Sequence, residues 1–249
     1  MNGAGEEIVV DVMGVAQRFD GRRIFENVSL SVRRGEVFAI LGGSGCGKST
    51  LLRQIVGLQV PSAGAITVLG RAMPRERGLV RSAIGVMFQS GALFGSMTLL
   101  ENVMLPLEMH TDLPPEGRAA VARVKLGLVG LRDAALRLPA EISGGMVKRA
   151  AIARALALDP PLLFLDEPSA GLDPITSAGL DRLILDLRRD LGITFVVVTH
   201  ELESILAVAD RCIMLDAAAG GVIATGDPRR LRDDSTEPTV RAFFHRQAP

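Results

Sequence analysis

The sequence predicts an α/β fold, and two patterns support that prediction. Short apolar runs rich in β-branched residues recur along the chain and indicate buried strands, while longer segments between them have helical character. At one point a strand-like run leads through a glycine-rich loop directly into a helix, and alternation of this kind is typical of an α/β core. With 249 residues and 48% apolar side chains, the chain is long enough for one large or two small domains.

The chain is organised around a glycine-rich stretch that matches the pattern G-x-x-x-x-G-K-[ST]. A strand-like run, 37–41, precedes this P-loop, and residues 51–56 follow it with helical character. Glycines let backbone N–H groups approach phosphate oxygens, and the N-terminus of the following helix adds to that attraction. We therefore predict a phosphate site in which Lys48 reaches the β- and γ-phosphates and the Ser49 hydroxyl binds Mg²⁺. The stretch reads Gly42-Gly43-Ser44-Gly45-Cys46-Gly47-Lys48-Ser49-Thr50.

Charge and composition disfavour several classes of protein. The chain holds 28 basic and 28 acidic residues, so its formal net charge is zero, which argues against nucleic acid as the main partner. The N-terminal residues do not resemble a signal peptide, and no apolar run approaches the ~18 residues of a membrane span. We therefore expect a chain that does not cross a membrane by itself. The two cysteines, Cys46 and Cys212, are not spaced as metal ligands. The P-loop nucleotide site predicts that the protein works in the reducing cytosol.

The segments on either side of the P-loop predict further strands. Apolar runs at 8–12 and 28–32 lie upstream of it, and runs at 65–69 and 85–88 lie downstream. Phe19 lies between the first two runs, in a chain that has neither Trp nor Tyr. From the residues alone, a core position for Phe19 is favoured over stacking on an adenine ring, and both interpretations stay open.

A long helical stretch interrupts the strands between residues 98 and 158. Prolines at 114, 115 and 139 punctuate it, so we interpret it as a helical insertion in the P-loop fold. Near its end, Ser143-Gly144-Gly145 opens a helix that runs to about residue 157. A serine followed by two glycines at a helix N-terminus can bind an anion, but taken alone it is more typical of an ordinary N-cap.

Two strands in the C-terminal half end at polar residues suited to phosphate chemistry. The run 162–165 is followed by two acidic residues. Asp166 can reach a Mg²⁺ ion, and Glu167 can reach an attacking water. The run 194–198 ends next to His200, and open α/β sheets bind ligands beyond the carboxyl ends of their strands. The other elements predicted here are a helix at 176–191, strands at 212–215 and 221–224, and polar helices that end near Phe244.

Taken in order, these segments resemble an ATPase subunit of an ABC transporter over almost the whole chain. The matching motifs are Walker A at 42–50, the Q-loop at Gln89, the signature at 142–146, Walker B at 162–167, the D-loop at 169–173 and the switch histidine at His200. The resemblance implies a P-loop NTPase core of ABC type with an antiparallel β subdomain, spanning about 1–90 and 159–249. Residues 91–158 would then form a helical subdomain that carries the signature.

The resemblance also implies a role for each motif. ATP and Mg²⁺ are the expected cofactors, and a second copy of the chain is expected to complete the site, because each chain carries one P-loop and one signature. Glu167, His200 and Gln89 are the expected catalytic residues, while Ser49, Gln89 and Asp166 are the expected metal ligands. The expected nucleotide contacts are residues 42–50, the adenine-stacking Phe19, and Ser143, Gly144, Gly145 and Asp173 from the signature and D-loop.

One departure from the family pattern indicates a subfamily. The signature usually reads LSGGQ, whereas this chain has ISGGM, so Met146 cannot supply the Gln amide. This signature, together with segments 88–94, 105–107 and 240–244, resembles the Mla/MCE subfamily, which moves phospholipids or other hydrophobic lipids across the bacterial envelope. The resemblance implies a peripheral protein at the cytoplasmic face of the inner membrane. Its implied partners are an integral membrane permease, with MCE-domain and small regulatory subunits as further candidates.

Alternatives to a lipid transporter stay open at this point. The first is an ABC importer for another substrate, such as polar amino acids. The second is a soluble ABC ATPase of DNA repair or translation, which the short interval between Lys48 and Ser143 disfavours because it leaves no room for a long coiled coil. A nucleotide sensor without turnover is disfavoured because Glu167 and His200 are both present.

Two further expectations concern side chains beside these motifs. Lys48 and the helix N-terminus favour a thiolate at Cys46, so Cys46 should react with alkylating agents faster than Cys212. Leu93 and Phe94 follow Gln89 and are expected to form part of the groove that receives the membrane subunit. The alternative is that both side chains fill the junction between the core and the helical subdomain.

Overall fold

The fold is known from a computed structural model that describes residues 7–247. The strands, in chain order, are β1 (Ile8–Phe19), β2 (Arg22–Arg33), β3 (Val37–Gly42), β4 (Ala63–Val68), β5 (Arg71–Met73), β6 (Ile84–Met87), β7 (Leu162–Asp166), β8 (Thr194–Val198), β9 (Arg211–Asp216) and β10 (Gly221–Gly226). The helices are α1 (Lys48–Ile55), α2 (Arg77–Val80), α3 (Leu99–His110), α4 (Pro115–Leu128), α5 (Gly144–Ala155), α6 (Pro174–Leu191), α7 (Leu202–Val208), α8 (Pro228–Asp234) and α9 (Pro238–Phe244). The predicted α/β class is confirmed.

A six-stranded sheet forms the centre of the molecule, with the strand order β10-β9-β3-β8-β7-β6. Every neighbouring pair is parallel except β9 and β10, which are antiparallel. Because parallel strands end at the same edge of a sheet, the segments that follow β3, β6, β7 and β8 meet there. This edge therefore collects the P-loop, Gln89, Glu167 and His200.

The second sheet is antiparallel, with the strand order β2-β1-β4-β5. Both β1 and β2 contain 12 residues, which makes them longer than the runs that the sequence indicated. Register shifts between Val12 and Val15 and between Val15 and Gln17 interrupt the pairing of β1 with β2. Such irregularities break the strict alternation of apolar and polar side chains, so the periodicity ended the predicted strand too early.

The chain between β6 and β7 is helical, as predicted, and its first helix begins with a capping box. The Glu101 N–H donates to Thr98 Oγ1 at 3.2 Å, and the Thr98 N–H donates to Glu101 Oε2 at 2.7 Å. Two short elements, β5 and α2, were not predicted, because three or four residues are too few to show a periodic pattern.

Apolar side chains cover both faces of the six-stranded sheet, so the sheet is the middle layer of the core. In β8, Phe195 and Val197 face the cluster built with α3, α4, α5 and α6. Val196 and Val198 face the opposite cluster, which includes α1 and the antiparallel sheet. A third cluster packs α7 and α9 against β3 and β9. Within residues 7–247, no helix has the length and apolar character needed to cross a membrane.

Candidate nucleotide site

The P-loop joins the buried strand β3 to α1, and its geometry leaves backbone donors available. Gly47, the N-cap of α1, has φ +101°, and a Cβ atom there would lie 2.6 Å from Phe25 Cδ1, so only glycine fits. In the described part of the chain no side chain caps α1, and its first N–H groups can therefore bind an anion. The loop lines a cavity of about 630 Å³. The described residues around this cavity are Ile24, Gly42, Gly43, Ser44, Gly45, Gly47, Lys48, Ser49, Thr50, Gln89, Glu167, His200 and Phe243.

The ammonium group of Lys48 is held inside the P-loop. Its Nζ donates to the carbonyl oxygens of Gly42 at 2.8 Å and Gly43 at 2.9 Å. Lys48 is also the first residue of α1, so its charge adds to the positive end of the helix. A phosphate group in the cavity would meet the ammonium and the backbone N–H groups together.

The side-chain oxygens of Ser49 and Asp166 lie close together beside the P-loop. The Ser49 hydroxyl donates to Asp166 Oδ1 at 3.2 Å, although the two residues lie on α1 and at the end of β7. Burial raises the pKa of Asp166, and the hydrogen bond from Ser49 opposes that shift. The described residues contain no cluster of three or more His, Cys, Asp or Glu side chains that could hold a metal by themselves. A hydroxyl and one carboxylate instead suit Mg²⁺ that is bound together with phosphate.

Glu167 lies at the cavity, and its two carboxylate oxygens have different surroundings. His200 Nδ1 lies 2.8 Å from Glu167 Oε1, within hydrogen-bond distance, whereas the buried Oε2 has no hydrogen-bond partner among residues 7–247. The backbone of Glu167 has φ +49°, a left-handed conformation that is uncommon for this residue type. Its N–H donates to the Val198 carbonyl at 2.8 Å, which ties it to β8. A carboxylate held in this way can accept a proton from a water molecule in the cavity.

Gln89 lines the cavity, and α5 holds the segment around it. Lys148 Nζ donates to the Gln89 carbonyl and also lies 3.3 Å from the Glu167 carbonyl. Arg154, two turns further along α5, donates to the Gly91 carbonyl at 3.0 Å. Burial lowers the pKa of Lys148, while the nearby carboxylates oppose that shift. Two cations on one helix thus fix the backbone that follows β6.

The signature and D-loop residues do not line this cavity in the described part of the same chain. Ser143 is the N-cap of α5 and accepts a hydrogen bond from the Met146 N–H at 3.3 Å. A Cβ atom at Gly145 would lie 2.4 Å from Thr176 Cγ2, so α5 and α6 approach closely there. Asp173 caps α6 by accepting from the Thr176 N–H at 3.0 Å, and the Thr176 hydroxyl is the main reason that its pKa is lowered.

The structure contradicts the expectation of a thiolate at Cys46. The side chain is buried, and burial raises the pKa of the thiol more than the nearby Lys48 charge lowers it. A Cβ atom built on Gly42 would lie 2.6 Å from Cys46 Sγ, so the sulfur packs against the start of the P-loop. Burial raises the pKa of the Cys212 thiol as well, to about 12. The sequence argument failed because it counted the neighbouring charge and could not see the desolvation of the side chain.

Two apolar residues at the cavity were missed by the sequence analysis. Ile24 in β2 and Phe243 in α9 both line it, although they lie at opposite ends of the chain. Phe19 is not among the described lining residues, and its side chain is 46% exposed at the end of β1. The segment 240–244 did carry a subfamily resemblance, but no motif linked it to the phosphate loop. Its proximity depends on how α9 packs against α8 and joins the third apolar cluster.

The loop after Gln89 exposes one of the two apolar side chains predicted for an interface. Phe94 is 51% exposed, whereas Leu93 packs against the core of the helical region. Buried Asn102 in α3 holds the loop, because its Oδ1 accepts from the Phe94 N–H at 2.8 Å and its Nδ2 donates to the Phe94 carbonyl at 3.1 Å. The junction-filling interpretation therefore applies to Leu93, and Phe94 stays available to a partner.

Comparison with known proteins places these features in a wider group. A family profile described as ABC transporter matches residues 25–170. The intermembrane phospholipid transport system ATP-binding protein MlaF of Escherichia coli K12 is 44% identical over 240 residues, which cover 95% of this chain and 88% of that protein. The probable ribonucleotide transport ATP-binding protein mkl of Mycobacterium tuberculosis H37Rv is 39% identical over 242 residues, covering 96% of this chain and 67% of that protein.

A solved structure adds an assembled and nucleotide-bound example. The dimeric ATP-binding cassette MJ0796, in a post-hydrolysis state bound to ADP and Pi, superposes with a TM-score of 0.78 at 32% sequence identity. The match covers 88% of this chain and 98% of that one.

Proposed function

Because this chain belongs to the ABC transporter family of ATPases, we propose that it is the ATP-hydrolysing subunit of a transporter that moves phospholipids across a bacterial envelope. The observation that carries ATP hydrolysis is Glu167, with Oε1 held by His200 and Oε2 buried without a partner among the described residues. The observation that favours a phospholipid is the 44% identity to MlaF over 95% of this chain.

The nucleotide cavity is incomplete in one chain, and a second copy would complete it. Ser143, Gly144 and Gly145 lie at the start of α5 and are not among the described residues that line the cavity. In the proposed homodimer, these residues of one subunit face the P-loop of the other across a bound ATP. The likeness to a cassette that is dimeric with ADP and Pi supports this assembly. Each dimer would then contain two composite sites.

The residues beside the P-loop fit a magnesium ion bound together with the nucleotide. Ser49 Oγ and Asp166 Oδ1 lie 3.2 Å apart and are the hard oxygen ligands that Mg²⁺ prefers. Gln89, which lines the same cavity, is the third proposed ligand. When bound, the ion would neutralise charge on the phosphate oxygens.

The side chains of the site act mainly by holding the reactants in place. The P-loop N–H groups and Lys48 bind the phosphates, with phosphate oxygens replacing the carbonyls of Gly42 and Gly43 around the ammonium. Glu167 Oε2 orients the attacking water and accepts its proton. His200, with a proton on Nδ1, keeps Oε1 fixed so that only Oε2 is available. Catalysis therefore depends on positioning and on charge stabilisation around the transferred phosphoryl group.

Coupling to transport requires a separately encoded membrane subunit, and the exposed Phe94 marks its docking site in this proposal. Phe94 follows Gln89 in a loop whose backbone is hydrogen-bonded to Asn102, so docking can influence the nucleotide cavity through a short path. Association with that permease would hold the protein at the cytoplasmic face of the inner membrane.

The test combines a catalytic variant with identification of the cargo. Glu167→Gln preserves the shape of the side chain but removes the carboxylate, so ATP turnover should fall by on the order of 100-fold or more while ATP binding persists. Light scattering should then detect an accumulated dimer in Mg-ATP. Glu203→Gln, an exposed carboxylate in α7, is the matched control and should keep wild-type turnover. A Glu167→Gln variant that hydrolyses ATP normally would contradict the proposed mechanism.

The cargo is tested on the complex purified with its membrane subunit. Reconstitution into liposomes of phosphatidylethanolamine and phosphatidylglycerol should show ATPase stimulation and ATP-dependent movement of labelled phospholipid. A parallel experiment uses a labelled ribonucleotide, because the mycobacterial relative mkl is named as a probable ribonucleotide transport protein. Ribonucleotide movement without lipid movement would overturn the lipid proposal and leave the ATPase assignment intact.

A further inference from the structure

Lys148 is a buried lysine whose hydrogen-bond partners both belong to the nucleotide site. The residue is 8% exposed and lies in the second turn of α5, five positions after the N-cap Ser143. Its Nζ donates to the carbonyl of Gln89 and lies 3.3 Å from the carbonyl of Glu167. One ammonium group therefore connects the end of β6 to the end of β7.

The two carbonyls belong to segments whose relative position matters for the proposed chemistry. Gln89 lies at the start of the exposed loop after β6, and Glu167 has the left-handed φ of +49°. A residue in that conformation keeps it only where its surroundings hold the backbone. The Glu167 N–H is held by Val198 on one side, and its carbonyl meets Lys148 on the other. The carboxylate that pairs with His200 is carried on this doubly held backbone.

Lys125 shows a different arrangement, in which a buried lysine pairs with an exposed carboxylate. Lys125 is 6% exposed in α4, and its ammonium pairs with the carboxylate of Asp159. Among residues 7–247, both acceptors recorded for Lys148 are instead backbone carbonyls of residues that line the cavity. A buried cation is costly to desolvate, and carbonyl dipoles compensate for that cost only where they are oriented towards it. The burial of the Lys148 ammonium is therefore compensated only when the Gln89 and Glu167 carbonyls keep their positions beside it.

We propose that Lys148 is a positioning residue for ATP hydrolysis, which holds Gln89 and Glu167 at a fixed separation from α5. The proposal rests on the proposed function, because it assigns Lys148 a role through Glu167. Since α5 begins at the signature residues, the same helix connects the surface offered to the second subunit with the backbone of the catalytic carboxylate. Lys148 itself does not contact the reacting atoms.

The test uses the full-length chain and separates positioning from folding. Lys148→Met keeps the apolar stem but removes the donors, and we expect kcat to fall by about 10- to 100-fold, the loss typical of a reacting group displaced by about 1 Å. The dissociation constant for ATP should stay within about threefold of the wild-type value, because the P-loop is untouched. Lys148→Arg keeps a cation with several donors and should recover a large part of kcat. Lys125→Met removes the ammonium of another buried lysine, whose partner Asp159 is exposed, and serves as the control for lost stability.

Hydrogen exchange supplies a readout that does not depend on turnover. The amides of Gly91 and Ala170 lie in the two held segments, where they donate to Phe88 and Glu167. Both amides should exchange faster in Lys148→Met than in the wild type and should be unchanged in Lys125→Met. If Lys148→Met does not fold, Lys148→Gln is used instead. It tests the same point, because its shorter neutral side chain cannot reach both carbonyls.

The possible outcomes separate this inference from the proposed function. Reduced kcat with faster exchange at both segments supports the positioning role. Suppose that Glu167→Gln is inactive, but the Lys148 variant has wild-type kcat or unchanged exchange. That result overturns the positioning role and leaves the proposed function standing. Normal turnover in Glu167→Gln overturns the proposed function first and removes the basis for the role of Lys148. An equal loss of kcat in Lys125→Met would assign the effect to stability and overturn the inference.

Discussion

Gly42, where β3 enters the P-loop, is expected to tolerate no side chain. Its φ is +141°, and a Cβ atom there would lie 2.3 Å from the Leu215 carbonyl oxygen and 2.6 Å from Cys46 Sγ. The backbone strain costs roughly 1–3 kcal/mol, and the overpacking costs roughly another 1–3 kcal/mol. Gly42→Ala should therefore lower the free energy of unfolding by about 2–6 kcal/mol, with a fall in Tm of about 2–4 °C per kcal/mol.

Gly43 provides a matched control one residue along the same loop. A Cβ atom at Gly43 would meet nothing within 4 Å, and its φ lies outside the positive range. Gly43→Ala should therefore change the free energy of unfolding by no more than about 1 kcal/mol. Urea denaturation followed by circular dichroism measures both variants. A Gly42→Ala protein as stable as Gly43→Ala would refute the argument, because the β3–β9 junction would then have room for a methyl group.

Three more predictions concern partner docking, nucleotide affinity and pH. Phe94→Ala should weaken association with the membrane subunit at least about tenfold, measured by pull-down, without changing Tm. Leu93→Ala should instead lower the free energy of unfolding by about 2 kcal/mol, measured by thermal unfolding. Phe19→Ala and Phe243→Ala should each raise the dissociation constant for ATP, which calorimetry measures. For Phe19, stacking on adenine would account for about a 2- to 10-fold increase. An unchanged dissociation constant in either variant would remove that residue from the site. Burial raises the pKa of Cys212 from 9.0 to about 12, so above pH 9 the unfolded thiol ionises while the folded one does not, and stability falls as pH rises. Between about pH 8 and about pH 10.5 the wild type should lose roughly 2 kcal/mol more than Cys212→Ala in urea titrations, and parallel pH dependences would contradict the burial argument.

The sequence by itself determined the α/β class and predicted most of the residues that meet at the site. Signals of this kind are local: a glycine loop between a strand and a helix, or two acids after an apolar run, specify backbone geometry and donor type within a few residues. Residues 42–50, Glu167 and His200 were proposed on that basis, whereas Gln89 followed from the resemblance to ABC transporter ATPases. The structure brings them to one edge of the parallel sheet, although their roles in the site stay predictions.

Tertiary structure alone decided what surrounds those residues. The burial that keeps Cys46 a thiol, the inward packing of Leu93 and the approach of Phe243 to the cavity all depend on contacts between distant elements. The hydrogen bonds of Lys148 to carbonyls at positions 89 and 167 are of the same kind. Desolvation and long-range packing depend on the neighbours of a side chain in space, and one chain read in order carries no local signal for them.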